Sequence, residues 1–241
     1  VVAARYGAFD RLYGGYYTQE DMRQVIEFAA LRNIEIIPEI DLPGHSHTLA
    51  RVKPDVLCAY TPDVAASLGY DTRDVLCVAK EENYALLEDV IGELAALFPS
   101  DYIHIGGDEV STAQWSRCPD CQALMRKEGM SEVGQLQDYF TRRMERIAAK
   151  YGKRIGVWNE AAESGDIDRT ALVYGWESKA ACKDVLDKGY RTVVMPGEYF
   201  YFDMRQSARE EGHDWAAIFD VRKPLSFGFE EFTAEQMTRV A

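Results

Sequence analysis

Apolar residues along this chain alternate between a helical and an extended spacing. Between residues 19 and 32 they recur at Met22, Val25, Ile26, Ala29 and Ala30, which predicts a helix with one buried stripe. Thr18 is placed to cap that helix, with Asp21 three residues on as its capping-box partner. A compact apolar run at 34–40 predicts a strand that ends among Glu39, Asp41, Pro43, Gly44 and His45. Residues 43–80, with Pro54 and Pro62, read mostly as loop. Leu86, Leu87, Val90, Ile91, Leu94 and Phe98 line one side of a helix over 82–98, stopped by Pro99. A strand at 102–106 comes next. Ser131 then opens a helix with Leu136, Tyr139, Phe140, Met144 and Ile147 facing inward, and Gly152 ends it as a left-handed cap. Further strands follow at 154–158, 170–176 and 191–195, with a helix over about 179–188 that stops at Gly189. Thr233 caps a last short helix.

Serial strand-then-helix units predict a parallel sheet with helical crossovers. Most of the strands finish in a polar or aromatic cluster. Chemistry gathered at strand C-termini marks a TIM-type (β/α)8 barrel, and an open α/β sheet shares the feature more loosely. The pattern supplies five strands, or six if residues 1–6 contribute, so the barrel is read as partial. No composition shift, repeat or low-complexity tract divides the chain, and residues 1–241 read as one domain.

The strand at 102–106 carries the sharpest chemical signal, because it runs into Gly107, Asp108 and Glu109. Neighbouring side chains of a regular strand point to opposite faces, so adjacent acids would not serve one cavity. Gly106 and Gly107 let the backbone leave strand geometry and turn both acids toward one opening. Two carboxylates at such a mouth divide labour, one ionised and the other kept protonated partly by its neighbour's field. That combination suits cleavage of an acetal.

Composition adds exclusions. The net charge of −13 and pI near 4.8 argue against nucleic acid, which requires clustered Lys and Arg. No apolar run is long enough to cross a bilayer, so no membrane partner is expected. The five cysteines are Cys58, Cys77, Cys118, Cys121 and Cys182; an odd count without regular spacing is a poor disulfide framework and leans toward a reducing, cytoplasmic compartment. Cys118 and Cys121 have the spacing of a redox or zinc pair, but no second pair repeats it, which favours two free thiols on a loop and no metal.

Five segments, in order, resemble the β-N-acetylhexosaminidases of glycoside hydrolase family 20. They are Ile-Pro-Glu-Ile-Asp-Leu-Pro-Gly-His at 37–45, His-Ile-Gly-Gly-Asp-Glu at 104–109, Val-Trp-Asn-Glu at 157–160, Tyr-Gly-Trp-Glu at 174–177 and Tyr-Phe-Asp at 201–203. The resemblance implies barrel strands three to seven with their helices. The family's first two strands, one bearing a sugar-gripping arginine, would precede Val1, and its eighth, with a further tryptophan and an acidic residue, would follow Ala241. A barrel so opened exposes unpaired edges, so this stretch alone is not expected to be a competent enzyme.

The same resemblance implies removal of terminal N-acetylhexosamine from β-linked glycans by substrate-assisted retaining catalysis, without a cofactor. In that scheme Glu109 is the acid and base, Asp108 accepts the acetamido N–H, and Tyr201 donates to the acetamido oxygen. Trp158 and Trp176 wall the acetamido group and the sugar face, Asp203 binds a sugar hydroxyl, and Trp215 stacks on the sugar. Asp41, His45 and His104 are expected to hold the acids in place. Alternatives differ in class. A sugar-binding barrel without turnover would keep the aromatic walls. A metal-dependent, amidohydrolase-like enzyme would use the His-Ser-His at 45–47. A nucleotide cyclase would use the Gly-Gly-Asp-Glu string, but that family wants Phe where Val110 stands, on a different fold.

Overall fold

A computed structural model describes residues 15–59 and 75–241, together with the backbone of two short strands, β1 (Ala4–Arg5) and β2 (Leu12–Tyr13). β1 and β2 pair antiparallel as a separate two-stranded sheet, so residues 4–5 do not add a strand to the main sheet. The main sheet is parallel, in the order β3 (Tyr102–His104), β4 (Arg154–Trp158), β5 (Leu172–Gly175) and β6 (Arg191–Val194). Long helices cross between them, Gln135–Lys150 before β4 and Lys179–Asp187 before β6.

Both edges carry further pairing. On one side the 34–40 run is extended and joins β3 only at its end: His104 N donates to Pro38 O at 2.9 Å, Ile40 N to His104 O at 3.0 Å and Leu42 N to Ile105 O at 2.9 Å. On the other, Thr192 N donates to Arg239 O at 2.9 Å and Ala241 N to Thr192 O at 2.8 Å. Residues 239–241 thus already run parallel beside β6, where the sequence reading placed the next strand beyond Ala241.

The pleat sorts the sheet's side chains. Ile103, Ile105, Ile155, Val157 and Val173 point to the helix side and join Leu87, Ile91, Leu136, Phe140 and Met144 in one buried core. His104, Trp158 and Tyr174 meet on the opposite face, with ring centroids 4.7 to 5.8 Å apart. Gly156 makes room between them, since a Cβ there would lie 2.8 Å from the His104 ring. No helix of the described residues is long and apolar enough to cross a membrane.

Caps follow local chemistry. Thr18 with Asp21 and Thr233 with Gln236 form reciprocal capping boxes. Ser131 does not open its helix: the Gln135 side chain accepts from the Ser131 and Glu132 backbones at 2.9 Å each, and the helix proper begins at Gln135. The stretch read as loop after Pro43 contains the helix His47–Val52 and a tight turn at Pro54–Val56, while Pro62 lies outside the described residues. Two short helices, Ala113–Arg117 and Pro119–Glu128, also escaped the periodicity. The first helix, Gln19–Ala30, buries only Ala29, and Val25, Phe28 and Leu31 stay exposed. It packs against the helix Glu81–Leu97, with Met22 and Ile26 of its stripe half-buried.

Candidate active site

The turn after β3 has an unusual backbone. Gly106, Gly107 and Glu109 have φ of 74°, 98° and 50°. At Gly106 a Cβ would stand 1.8 Å from Asp41 Oδ1, and at Gly107 it would stand 2.7 Å from Ala161 Cβ. Both positions therefore exclude a side chain on two grounds, left-handed backbone and occupied space. The result is that consecutive acids face one group. His45 Nε2 lies 3.5 Å from Asp108 Oδ2 and 3.3 Å from Glu109 Oε2. His45 itself is in a left-handed conformation, φ 46°, which aims its ring back at the acids.

Around that pair the electrostatics are graded. Asp108 is mostly covered, and its buried Oδ1 accepts no hydrogen bond from the described residues. Glu109 is the more open acid, its side chain 60% exposed. Asp41 takes the Gly107 N–H at 3.4 Å. Burial, and then the charge of Asp108, push the Asp41 carboxyl up to about 7.

Two carboxylates without an assigned role in the sequence reading join the site. Glu160 accepts from the Trp176 indole at 2.9 Å with one oxygen and from the Glu109 backbone N–H at 3.4 Å with the other. Burial pushes it up to about 7. Glu39 accepts from the Trp158 indole at 3.0 Å and sits 3.2 Å from His104 Nδ1, which holds Glu39 below the usual carboxylate range. The signal for both was their place beside the strand-end motifs. Their partners were not readable, because they lie on other strands.

The aromatic residues fall into two groups. Trp176 stacks on Tyr201 at 5.9 Å, and Trp215 meets both edge-on at 5.9 and 5.1 Å. Burial raises the Tyr201 hydroxyl, with the charges of Asp108, Asp203, Glu160 and Glu109 acting in the same direction, so this phenol faces the acids. Asp203 is exposed on the same segment. Trp158 belongs to the second group, with His104 and Tyr174. The His104 ring touches Glu39, Trp158 and Tyr174, and its Nδ1 accepts the Gly106 N–H at 3.2 Å, so it links the Trp158 side of the mouth to the start of the acid-bearing turn, while His45 and Asp41 touch the acid pair.

Among the described residues two groups of ligating atoms lie within 4.8 Å of one another: Asp41, His45 and Asp108, and Cys58, Cys77, Cys118 and Cys121. The His-Ser-His string does not form a ligand pair in the first group, since His47 begins the following helix. The second group corrects the reading of Cys118 and Cys121 as loop thiols, because both are fully buried at the start of the helix Pro119–Glu128.

The model of the glycosyl hydrolase family 20 catalytic domain matches residues 3–239. A β-hexosaminidase of Vibrio furnissii is 37% identical over 232 residues, covering 94% of this chain and 38% of that protein. The β-hexosaminidase α subunit of Mus musculus is 28% identical over 88% of this chain and 39% of its own length. The exo β-N-acetylglucosaminidase of Vibrio harveyi, solved in complex with N-acetylglucosamine, superposes with a TM-score of 0.86 at 34% identity, over 98% of this chain and 38% of that one. The chain thus spans well under half the length of these relatives.

Proposed function

The chain belongs to glycosyl hydrolase family 20, and from that membership and the paired acids we propose that it forms the acid-bearing wall of a β-N-acetylhexosaminidase. The substrate is a β-linked glycan ending in N-acetylhexosamine. The observation that carries the proposal is the convergence of Asp108 and Glu109 on His45, with a buried oxygen of Asp108 left without a donor among the described residues. A buried acceptor of that kind calls for a ligand N–H, and an acetamido group brings one.

The proposed reaction is the substrate-assisted scheme that the family implies. Asp108 accepts the acetamido N–H and turns the acetamido oxygen toward C1, where it attacks and displaces the aglycone. Holding that internal nucleophile in place supplies an effective molarity on the order of 10⁵ M or more. Tyr201 donates its hydroxyl to the acetamido oxygen; its raised pKa keeps the proton on the phenol. Glu109, the open acid, protonates the leaving oxygen and then takes a proton from the water that opens the cyclic intermediate. As positive charge grows on the acetamido nitrogen, Asp108 stabilises it, and Asp41, whose carboxyl is pushed up to about 7, limits the negative charge crowded beside it. Trp176 and Trp215 supply flat apolar walls with few rotors to freeze. Trp158, held by Glu39, closes another side, and Asp203 is placed to bind a sugar hydroxyl.

Hydrolysis of a chromogenic N-acetyl-β-glucosaminide by the full-length protein tests this reading. Release of the chromophore supports it. Binding of N-acetylglucosamine with no release favours the sugar-binding barrel instead.

A further inference from the structure

Outside the carboxylate site, four of the five cysteines converge. Cys58 leaves the turn after Pro54–Val56, Cys77 lies just before the helix Glu81–Leu97, and Cys118 and Cys121 flank the first residues of the helix Pro119–Glu128. Cys77, Cys118 and Cys121 have no exposed surface and Cys58 has 7%. The Sγ–Sγ separations are 3.8 Å for 58 to 121, 3.7 Å for 77 to 121 and 4.0 Å for 77 to 118, and all four sulfurs lie within 4.8 Å of one another.

Those distances have a specific meaning. A zinc ion binds thiolate sulfur at about 2.3 Å in a tetrahedron, whose edge is therefore about 3.8 Å. Disulfides bring sulfurs to about 2.0 Å and join them in pairs, without drawing four together. The backbone adds a second sign. The N–H of Cys121 is directed at the Cys118 sulfur and that of Ala79 at the Cys77 sulfur, so each chain turn presents a donor to a sulfur of the group. Lys80 lies beside the group, with its ammonium 2.6 Å from the carbonyl of Leu57, the residue before Cys58.

We propose that Cys58, Cys77, Cys118 and Cys121 form a structural zinc site, one ion held by four thiolates. Four protein ligands close the coordination sphere and leave no position for water or substrate, so the ion has no part in the hydrolysis. Soft sulfur donors select zinc over calcium or magnesium. The site ties Cys58 and Cys77 to the Ala113–Arg117 and Pro119–Glu128 helices. Its effect reaches the acids through backbone contacts. Leu76 N donates to Pro43 O at 2.9 Å, the Trp115 indole donates to Leu76 O at 2.9 Å, and Pro43 stands two residues before His45. The pairing of Cys118 with Cys121 alone did not reveal the site, because its other two ligands are isolated in the sequence.

The test is the metal content of the full-length protein, purified without chelators from cells grown with added zinc and read by inductively coupled plasma mass spectrometry. One zinc per chain is expected, released to a chromogenic chelator as a mercurial reagent titrates the thiols. Cys118→Ser and Cys121→Ser are expected to lose the metal, and Cys182→Ser, which changes the cysteine outside the group, to keep it. Wild-type protein that carries no metal while its thiols titrate freely overturns the proposal, as does oxidation of the four cysteines to disulfides. Iron in place of zinc overturns the assignment of the ion.

Discussion

The Trp176 indole donates to Glu160 at 2.9 Å, and the same carboxylate takes the Glu109 backbone N–H at 3.4 Å with its other oxygen. One half-buried acid therefore fixes both an aromatic wall and the main chain of the candidate proton donor. The arrangement has a cost that pH exposes. Folded Glu160 keeps its proton to about 7, against an ordinary value of 4.5. Between those values the folded state binds more protons than the unfolded one, so stability falls as pH rises. Glu160→Gln removes this contribution. Its melting temperature is expected to fall less steeply than that of wild type from about pH 5 to about pH 8. Parallel slopes in differential scanning calorimetry would contradict the placement of Glu160.

Asp41 gives a second pH signature, in turnover. Its proton, held to about 7, keeps a second negative charge away from Asp108. As pH rises through that value the proton leaves and the charges crowd. In Asp41→Asn the uncharged state is permanent, so the alkaline limb of kcat/KM is expected to move to higher pH. A limb unchanged from wild type would remove Asp41 from the account.

Glu109→Gln leaves the pocket's shape but removes the transferable proton. For substrates with poor leaving groups kcat is expected to drop by roughly 10² to 10⁴, while the affinity for N-acetylglucosamine stays within a few-fold. Stopped assays with an alkyl and an activated aryl glycoside, with binding by calorimetry, separate the two effects. Near-normal turnover of the alkyl glycoside would show that another group is the acid.

Gly106→Ala places a methyl group 1.8 Å from Asp41 Oδ1 at a φ of 74°. The strained backbone alone costs about 1 to 3 kcal/mol, and Asp41 must also move. Both melting temperature and activity are expected to fall together. Gly129→Ala has a similar φ of 71° with nothing within 4 Å of its added Cβ, and serves as the control for backbone strain without a clash.

The four strands of the main sheet and the long helices were legible in the sequence because each carries its own period and stop signal, as Pro99 and Gly189 show, whereas the 34–40 run forms only an isolated bridge at Glu39. The Gly-Gly-Asp-Glu turn was legible because two glycines beside two acids have few other uses. What the sequence hid depends on pairs distant along the chain. Glu39 finds Trp158 119 residues away, and Cys58 finds Cys121 63 residues away. Short helices such as Ala113–Arg117 are too brief to display a period. The helix Gln19–Ala30 is a mixed case: of its stripe Ala29 is buried and Met22 and Ile26 are half-buried, while Val25 and Ala30 are exposed.

The most direct test of the central claim compares two chromogenic substrates of the full-length protein, an N-acetyl-β-glucosaminide and the matching β-glucoside. If Asp108 and Glu109 act together on an acetamido sugar, the glucoside loses its internal nucleophile and its rate falls by orders of magnitude. Equal rates on the two substrates would contradict the account.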